Sequence, residues 1–384
     1  MIEYQYNYMK ESTYDKVFLT DFSLDKIAEV QNFQSSHRSY SMTPLIRLDN
    51  FASHVGFNNV FIKDESQRFG LSAFKVLGGI YAMGRYVAEH LDIGIESFTF
   101  DQLRSTENRE RIGDITFTTA TDGNHGRGVA WTARELGAKA VIYLPKGSSK
   151  KRVNAICNEG AEAIVTELNY DDSVRYAAKK AKENGWIVVQ DTSWNGYEDI
   201  PLWIMQGYAS LAKEMMEQVR EYTPRIPTHI FLQAGVGSFA SAIAAYLVNY
   251  YREKHPKIIL VEPHQSNCYF RSFVANDQTY KVVDGELDTI MDGLACGEPN
   301  PKAWEILKSY TEASFSCDDY ISTLGMDILS RPIRNDKVVN SGASGAVSIG
   351  LLHRLATEDA FKNVRKELGL DKDSEVVLVN TEGS

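Results

Sequence analysis

Short apolar runs alternate along the chain with longer stretches whose apolar residues recur at helical spacing. The first pattern predicts buried strands and the second predicts amphipathic helices. The predicted strands are residues 60–63, 115–119, 140–144, 163–165, 187–190, 230–233, 258–262 and 376–380. The predicted helices are residues 72–90, 128–136, 150–158, 172–184 and 202–222, with two more after the small-residue runs near 235 and 342. Strands that alternate with helices of this length indicate βαβ units and a parallel sheet.

The pattern is weaker in three segments. Residues 1–58 are polar and aromatic with an extended piece at 43–46, residues 93–112 are charged and predict a surface excursion, and residues 263–340 are irregular. The longest apolar run, 229–250, contains Gln233 and two glycines. It therefore predicts a strand, a loop and a helix rather than a membrane span.

Composition narrows the possible functions. The 384 residues suffice for two domains, or for one large domain with an insert. A net charge of −10, without a basic and aromatic cluster, argues against a nucleic-acid partner. The four cysteines form no CxxC pair, which argues against a zinc site, and the first ten residues lack the apolar segment of a secretory signal. A cytoplasmic location with reduced cysteines is the resulting expectation.

Lys75 stands between an aromatic residue and two glycines in the otherwise apolar stretch 72–79. Lysine is rare among apolar neighbours unless its charge is paired or its amine is used. A partly desolvated lysine has a lowered pKa and is a competent nucleophile for a Schiff base. The alternative is a lysine at a helix start with its head group in water. This stretch alone leaves both interpretations open.

Residues 234–238 form a small-residue loop between a predicted strand and a predicted helix. Backbone N–H groups and the positive end of a helix suit an anion such as a phosphate. A dinucleotide-binding loop is the rival, although Ala240 stands where its third glycine is expected. Glu262 keeps this rival open because it follows at about the distance of an acidic ribose ligand. A tight turn without a ligand is the third possibility.

Residues 121–126 combine hydrogen-bonding side chains with glycines between a strand and a helix. The N–H groups of such a loop can hold a carboxylate. Asp122 has a structural alternative as the N-cap of the helix, and His125 is assigned no catalytic role.

Four of these features follow one another along the sequence. They are Lys75, then the loop 122–126, then the loop 234–238, and finally a strand that ends at Thr381. This order resembles the tryptophan-synthase-like (fold type II) family of enzymes that use pyridoxal 5′-phosphate, which includes serine and threonine dehydratases. The resemblance implies an α/β fold of two domains, each with a mostly parallel twisted sheet flanked by helices. The cofactor would lie in the cleft between the domains.

The same resemblance implies domain boundaries. A large cofactor-binding domain would comprise residues 1–85 and 201–384, and a smaller α/β domain would comprise residues 86–200. A homodimer is also implied by the resemblance.

By resemblance, Lys75 would carry the cofactor as a Schiff base, Asn124 would hydrogen-bond its phenolic oxygen, and Thr381 would face its pyridine nitrogen. The cofactor phosphate would be held by the N–H groups of Gly235, Val236, Gly237 and Ser238. The chain departs from the family pattern at Leu77, where arginine is frequent, and at Gly342 and Ala343, where an acidic residue is frequent.

Within the family, the chain is similar to ammonia-lyases that act on 2,3-diaminopropionate. Asp122 stands where dehydratases usually have serine, and the stretches 190–197, 201–208 and 293–299 carry the longer matches. The leaving group of this substrate is a β-ammonium, which is already protonated before the C–N bond breaks. It therefore needs a negatively charged partner rather than a general acid.

The substrate interpretation assigns roles to four residues. Asp122 and Asp191 would be the negative partners, and Thr121 would contact the substrate. Lys75 would remove the Cα proton of the L-isomer, and family analogy places Asp122 on the opposite face for the D-isomer. The products would be pyruvate and two molecules of ammonia.

Three other functions remain open at this point. A serine or threonine dehydratase would share the cofactor, a nicotinamide-dependent dehydrogenase would use the loop 234–238, and a binding protein of this fold would lack catalysis. A reversible disulfide between Cys268 and Cys296 is an alternative to free buried thiols.

Overall fold

The computed structural model describes residues 1–10, 13–14, 16–112, 114–121 and 123–384. Its strands are β1 (Ile2–Tyr6), β2 (Leu45–Arg47), β3 (Asn59–Asp64), β4 (Thr116–Ala120), β5 (Lys139–Leu144), β6 (Glu162–Val165), β7 (Ile187–Val188), β8 (His229–Gln233), β9 (Lys257–Pro263), β10 (Thr311–Cys317) and β11 (Glu375–Asn380). Its α-helices are α1 (Val17–Thr20), α2 (Leu24–Ser35), α3 (Asp49–Val55), α4 (Val76–His90), α5 (Phe100–Leu103), α6 (Thr106–Ile112), α7 (Asn124–Leu136), α8 (Lys150–Cys157), α9 (Tyr170–Asn184), α10 (Asp199–Tyr222), α11 (Ser238–Tyr251), α12 (Cys268–Ala275), α13 (Pro301–Tyr310), α14 (Asp319–Ser330), α15 (Ala343–Thr357) and α16 (Lys362–Leu368). Within these ranges no helix is long and apolar enough to span a membrane.

The larger sheet has seven strands in the order β1-β10-β9-β8-β11-β3-β2. Its five inner strands are parallel, and the two edge strands pair antiparallel with their neighbours. All residues of β8 and β11 are buried. A parallel sheet covered on both faces needs apolar residues throughout its strands, which is why these strands were predictable as continuous apolar runs.

The smaller sheet has four parallel strands in the order β6-β5-β4-β7. All four lie between residues 116 and 188, whereas the larger sheet takes strands from both sides of that stretch. The two parallel sheets with flanking helices confirm the predicted α/β class. The domain boundaries after residues 85 and 200 remain a proposal, and α4 runs across the first of them.

Several predicted elements were wrong in detail. The helix predicted over 72–90 begins at Val76, because residues 72–74 instead pair with the segment 381–383. The predicted surface excursion forms α5 and α6, and the side chains of Phe100 and Leu103 are fully buried.

The segment 263–340, predicted to be irregular, contains α12, α13, β10 and α14. The strand β10 has serine or threonine at three of its seven positions, all of them buried. Its burial therefore comes from the neighbouring strands rather than from its own hydrophobicity, and an apolar-run criterion does not detect it.

Candidate active site

A cavity of about 600 Å³, including its open mouth, lies at the carboxyl ends of the inner strands of the larger sheet. Ligands of open α/β sheets bind at this edge. The wall includes Lys75, the loop 235–238 and Thr381 from the side of the larger sheet. It includes Asn124 and Asp191 from the side of the smaller sheet. The cavity thus brings together residues that are more than 300 positions apart in the sequence.

Lys75 immediately precedes α4, and its side chain is 16% exposed. Its Nζ atom donates to Asp191 Oδ2 at 2.5 Å and lies 5.7 Å from the centre of the Phe74 ring. The lysine is therefore a paired, mostly buried amine on the wall of a cavity. The alternative of a head group in water is wrong for this residue.

Asp191 follows β7 and is almost completely buried. Burial acts to raise the pKa of its carboxyl, but the Lys75 ammonium and the His125 ring outweigh burial and lower the pKa to about 2. The second oxygen, Oδ1, is buried without a hydrogen-bond partner among the described residues. A buried carboxylate oxygen left in this state indicates a place for a further donor.

The segment 234–237 connects β8 to α11 as predicted, with Gly237 in the left-handed region at φ +92°. The first N–H groups of a helix have no partner within it, and the residues at the start of α11 line the cavity. A Cβ atom at Gly237 would lie 2.0 Å from the Tyr269 hydroxyl oxygen, so only glycine fits. Together these features form a cradle for an anion.

Two buried residues hold this cradle in place. The Tyr269 hydroxyl donates to the Val236 carbonyl oxygen at 2.8 Å. Asn300 donates from Nδ2 to Ser238 Oγ at 2.8 Å, and its backbone N–H donates to the Val236 carbonyl oxygen. The Ser238 hydroxyl in turn donates to the Asp191 carbonyl oxygen. The cradle and the backbone of Asp191 are thus linked through one hydroxyl.

Asn124 begins α7, and its Nδ2 atom donates to Glu382 Oε2 at 2.6 Å. Thr381 lies at the end of β11, and its carbonyl oxygen accepts from the Phe74 N–H at 3.2 Å. Both residues line the cavity, as does Glu382, which sequence reasoning missed although it directly follows Thr381.

One predicted substrate contact, Thr121, is placed away from the cavity. Thr121 is fully buried and does not line the cavity, and its Oγ1 accepts from the N–H groups of Gly123 and Gly126, each at 2.9 Å. It shapes the loop in front of α7, and its contact with a substrate remains a prediction. Asp122 lies outside the described residues.

The buried side chain of Glu262 removes the argument for a dinucleotide. Its carboxylate accepts from the N–H groups of Tyr269 and Phe270 at 2.8 and 2.7 Å, at the start of α12. Burial raises the pKa of this carboxyl to about 8. Glu262 therefore caps a helix inside the protein and is not available to a ribose.

None of the four cysteines is in a disulfide, and Cys268 and Cys296 are both buried. The reversible disulfide between them that was considered from the sequence is not formed in this structure. Burial raises the pKa of the Cys268 thiol well above its usual range, which disfavours the reactive thiolate.

Several cavity residues were not predicted from the sequence. They are Phe74, Tyr170, Gln233, Phe239, Gly293, Leu294, Cys296, Ser344 and Glu382. Ser344 belongs to a small-residue run that opens α15, which was a usable signal. Tyr170 begins α9 and gives no such signal, because an aromatic residue at a helix start is not distinctive.

The residues present fit pyridoxal 5′-phosphate. The cradle at α11 suits a phosphate, the Lys75 amine suits an aldehyde, and the Asn124 amide suits a phenolic oxygen. The unpartnered Asp191 Oδ1 leaves a place for a hydrogen-bond donor, and the requirement for glycine at 237 keeps a side chain out of the cradle.

Comparison with known proteins agrees with this geometry. A family model described as "Pyridoxal-phosphate dependent enzyme" matches residues 38–381. The diaminopropionate ammonia-lyase of Salmonella typhimurium is 46% identical over 384 residues, which cover 100% of this chain and 95% of that protein.

Two crystal structures of the diaminopropionate ammonia-lyase of Escherichia coli are also similar. The complex with D-serine has a TM-score of 0.92, and the complex with an aminoacrylate-PLP azomethine reaction intermediate has a TM-score of 0.91. Each is 43% identical, covers 100% of this chain and is itself covered over 94% of its length. From the cavity, the sequence match and the shared fold, we conclude that this chain belongs to the family of pyridoxal-phosphate dependent enzymes.

Proposed function

We propose that this enzyme catalyses the elimination of ammonia from 2,3-diaminopropionate, using pyridoxal 5′-phosphate. The observation that carries the proposal is that the Lys75 amine and the anion cradle at α11 face one cavity. A buried carboxylate, Asp191, faces the lysine there. The similar proteins of known name support the substrate.

The chain's own residues would divide the work of holding the cofactor. Lys75 would attach it through its amine, the N–H groups of 235–238 would bind its phosphate, Asn124 would donate to its phenolic oxygen, and Thr381 would face its pyridine nitrogen. When bound, pyridoxal 5′-phosphate supplies an electron sink that makes the Cα proton of an amino acid acidic.

Proton removal would fall to groups on two faces of the substrate. Lys75 would accept the Cα proton of the L-isomer, and Asp122 would accept that of the D-isomer. The β-ammonium departs as ammonia, because it is already protonated and needs no general acid. Asp191, with its lowered pKa, remains a carboxylate at neutral pH and would pair with the substrate's cationic groups.

The overall reaction balances with one water molecule. Diaminopropionate loses its β-nitrogen as ammonia, and hydrolysis of the remaining three-carbon enamine gives pyruvate and the second ammonia. A serine dehydratase differs because its β-hydroxyl leaves only after it gains a proton, and Asp191 as a carboxylate has none to give.

Borohydride reduction of the purified enzyme, followed by peptide mass spectrometry, tests the cofactor site. We expect a phosphopyridoxyl group on Lys75, and a label on any other lysine would contradict the proposal. Turnover of both diaminopropionate isomers, serine and threonine should then be compared by pyruvate release. Faster turnover of serine or threonine than of diaminopropionate would show that the enzyme is a dehydratase and not a diaminopropionate ammonia-lyase.

The assembly and location implied by resemblance belong to the same proposal. We expect a homodimer in the cytoplasm. Sedimentation velocity at micromolar concentration measures the oligomeric state, and fractionation of the native cells measures the location.

A further inference from the structure

Glu382 has no role in the proposed function, although its carboxylate forms part of the cavity wall. Its Oε2 accepts from Asn124 Nδ2 at 2.6 Å, and its Oε1 accepts from the Ser344 N–H at 3.1 Å. One carboxylate thus joins the start of α7 to the start of α15. Carboxylates are favoured at both places because each is the positive end of a helix.

The backbone of Glu382 is fixed as well. It forms an isolated bridge with Ala73, and its carbonyl oxygen accepts from the Gly342 N–H at 3.0 Å. The flanking bonds, from Phe74 N–H to the Thr381 carbonyl and from Gly383 N–H to the Ser72 carbonyl, complete this short pairing. Glu382 is therefore held against the segment that leads directly to Lys75.

Glycine at position 342 leaves space for the Glu382 carboxylate. A Cβ atom at Gly342 would lie 2.7 Å from Glu382 Oε1. Gly342 has an ordinary φ of −73°, so the backbone does not require glycine there. The absence of a side chain at 342 leaves room for the Glu382 carboxylate.

The contact with Asn124 constrains the orientation of that amide. A carboxylate only accepts hydrogen bonds, so it stabilises the NH₂ end of the amide and repels the oxygen end. An amide nitrogen carries two hydrogens, and one of them is used by Glu382. The second remains for an acceptor in the cavity.

We propose that Glu382 is a positioning residue for the cofactor, acting through Asn124. It holds the Asn124 amide with its NH₂ group ready to donate to the phenolic oxygen of pyridoxal 5′-phosphate. This inference rests on the proposed cofactor site. It adds a residue that gives no contact of its own to the reacting atoms.

A double-mutant cycle on cofactor affinity tests this role. Apoenzymes of the native protein, Glu382→Gln, Asn124→Ala and the double variant are titrated with pyridoxal 5′-phosphate, and Kd is measured from the visible absorbance. Glutamine has one acceptor end and cannot serve both Asn124 and Ser344. We expect each single variant to raise Kd about tenfold, the loss of one charge-assisted hydrogen bond. The double variant should bind no more weakly than Asn124→Ala alone.

Glu305→Gln is the matched control, because Glu305 lies on α13 in an exposed pair with Lys308. Its Kd should equal that of the native protein. Thermal melting of each apoenzyme separates loss of fold from loss of affinity, and Glu382→Ala replaces the glutamine variant if that one does not fold.

Two results would overturn the inference. Effects on Kd that multiply in the double variant would mean that Glu382 does not act through Asn124. A Glu382 variant with a lower melting temperature but the native Kd for pyridoxal 5′-phosphate would show that the residue only stabilises the fold. Failure of the proposed function is distinguishable, because borohydride labelling of the native enzyme would then miss Lys75.

Discussion

At the scale of single residues, the contact between Lys75 and Asp191 is the most informative finding. The sequence suggested Asp191 only as a second carboxylate for the substrate. In the folded chain it is the partner of Lys75, buried with one oxygen still unpartnered. The two residues are 116 positions apart, and no local pattern connects them.

The Asp191→Asn variant of the apoenzyme should lose stability in a pH-dependent way. The pKa of Asp191 is about 2 in the folded protein, against an ordinary value of 3.8, so its contribution is present above pH 4 and is lost as the pH falls toward 2. We expect a loss of roughly 1–2 kcal/mol in the free energy of unfolding at pH 7. Urea unfolding at pH 7, 4 and 3 should show this loss shrinking.

The control for this experiment is Glu305→Gln, which removes an acid from an exposed ion pair. Exposed pairs contribute little, so its unfolding free energy should stay within about 0.5 kcal/mol of the native value. A loss in Asp191→Asn that is the same at pH 7 and pH 3 would show that the carboxylate charge is not responsible.

At the scale of secondary structure, the β8–α11 connection shows what local sequence can predict. The apolar strand, the small residues 234–237 and the helix after them were all predictable, because strand, turn and helix periods differ. The reason for glycine at 237 was not predictable. It depends on Tyr269, which belongs to α12 and comes from a segment predicted to be irregular.

Gly237→Ala should weaken cofactor binding more than it weakens the fold. Alanine would adopt a left-handed conformation and would push its Cβ atom into the Tyr269 hydroxyl, which is buried and cannot retreat. We expect Kd for pyridoxal 5′-phosphate to rise at least about tenfold, since such displacement costs more than roughly 1.4 kcal/mol. Titration of the apoenzyme by absorbance measures this change.

Gly185→Ala separates the backbone effect from the crowding. Gly185 ends α9 at φ +71°, is exposed, and would meet no atom within 4 Å of an added Cβ. This variant should lose about 1 kcal/mol of stability and bind the cofactor normally. Equal Kd values for the two alanine variants would contradict the role assigned to the Tyr269 contact.

At the scale of the whole molecule, the sequence predicted the α/β class and most inner strands, but it predicted the site only with the help of a family resemblance. Lys75, Asn124, the 235–238 loop and Thr381 do line one cavity. Glu382 and Tyr170 were missed, because their placement depends on how the two sheets meet rather than on their neighbours in sequence. Residues 72–74 show the same limit, since their pairing with 381–383 shortens the predicted helix.

Because both sides of the cavity contribute residues, cofactor binding should stabilise the molecule as one unit. Free ligand at 100 times Kd adds about 2.7 kcal/mol of stability, which corresponds to a rise in Tm of roughly 3 °C for a chain of this length. Pyridoxal, which lacks the phosphate, should give a much smaller rise because it does not use the cradle at α11. Calorimetry of the apoenzyme with each ligand measures both shifts.

Hydrogen exchange shows whether the stabilisation reaches both sheets. We expect slower exchange at the start of α7 and at the β8–α11 connection together when pyridoxal 5′-phosphate binds, because Asn124 and the 235–238 loop both line the cavity. Protection confined to the β8–α11 connection would mean that the smaller sheet does not take part in holding the cofactor. Equal Tm shifts for pyridoxal and its phosphate would contradict the assignment of the anion cradle.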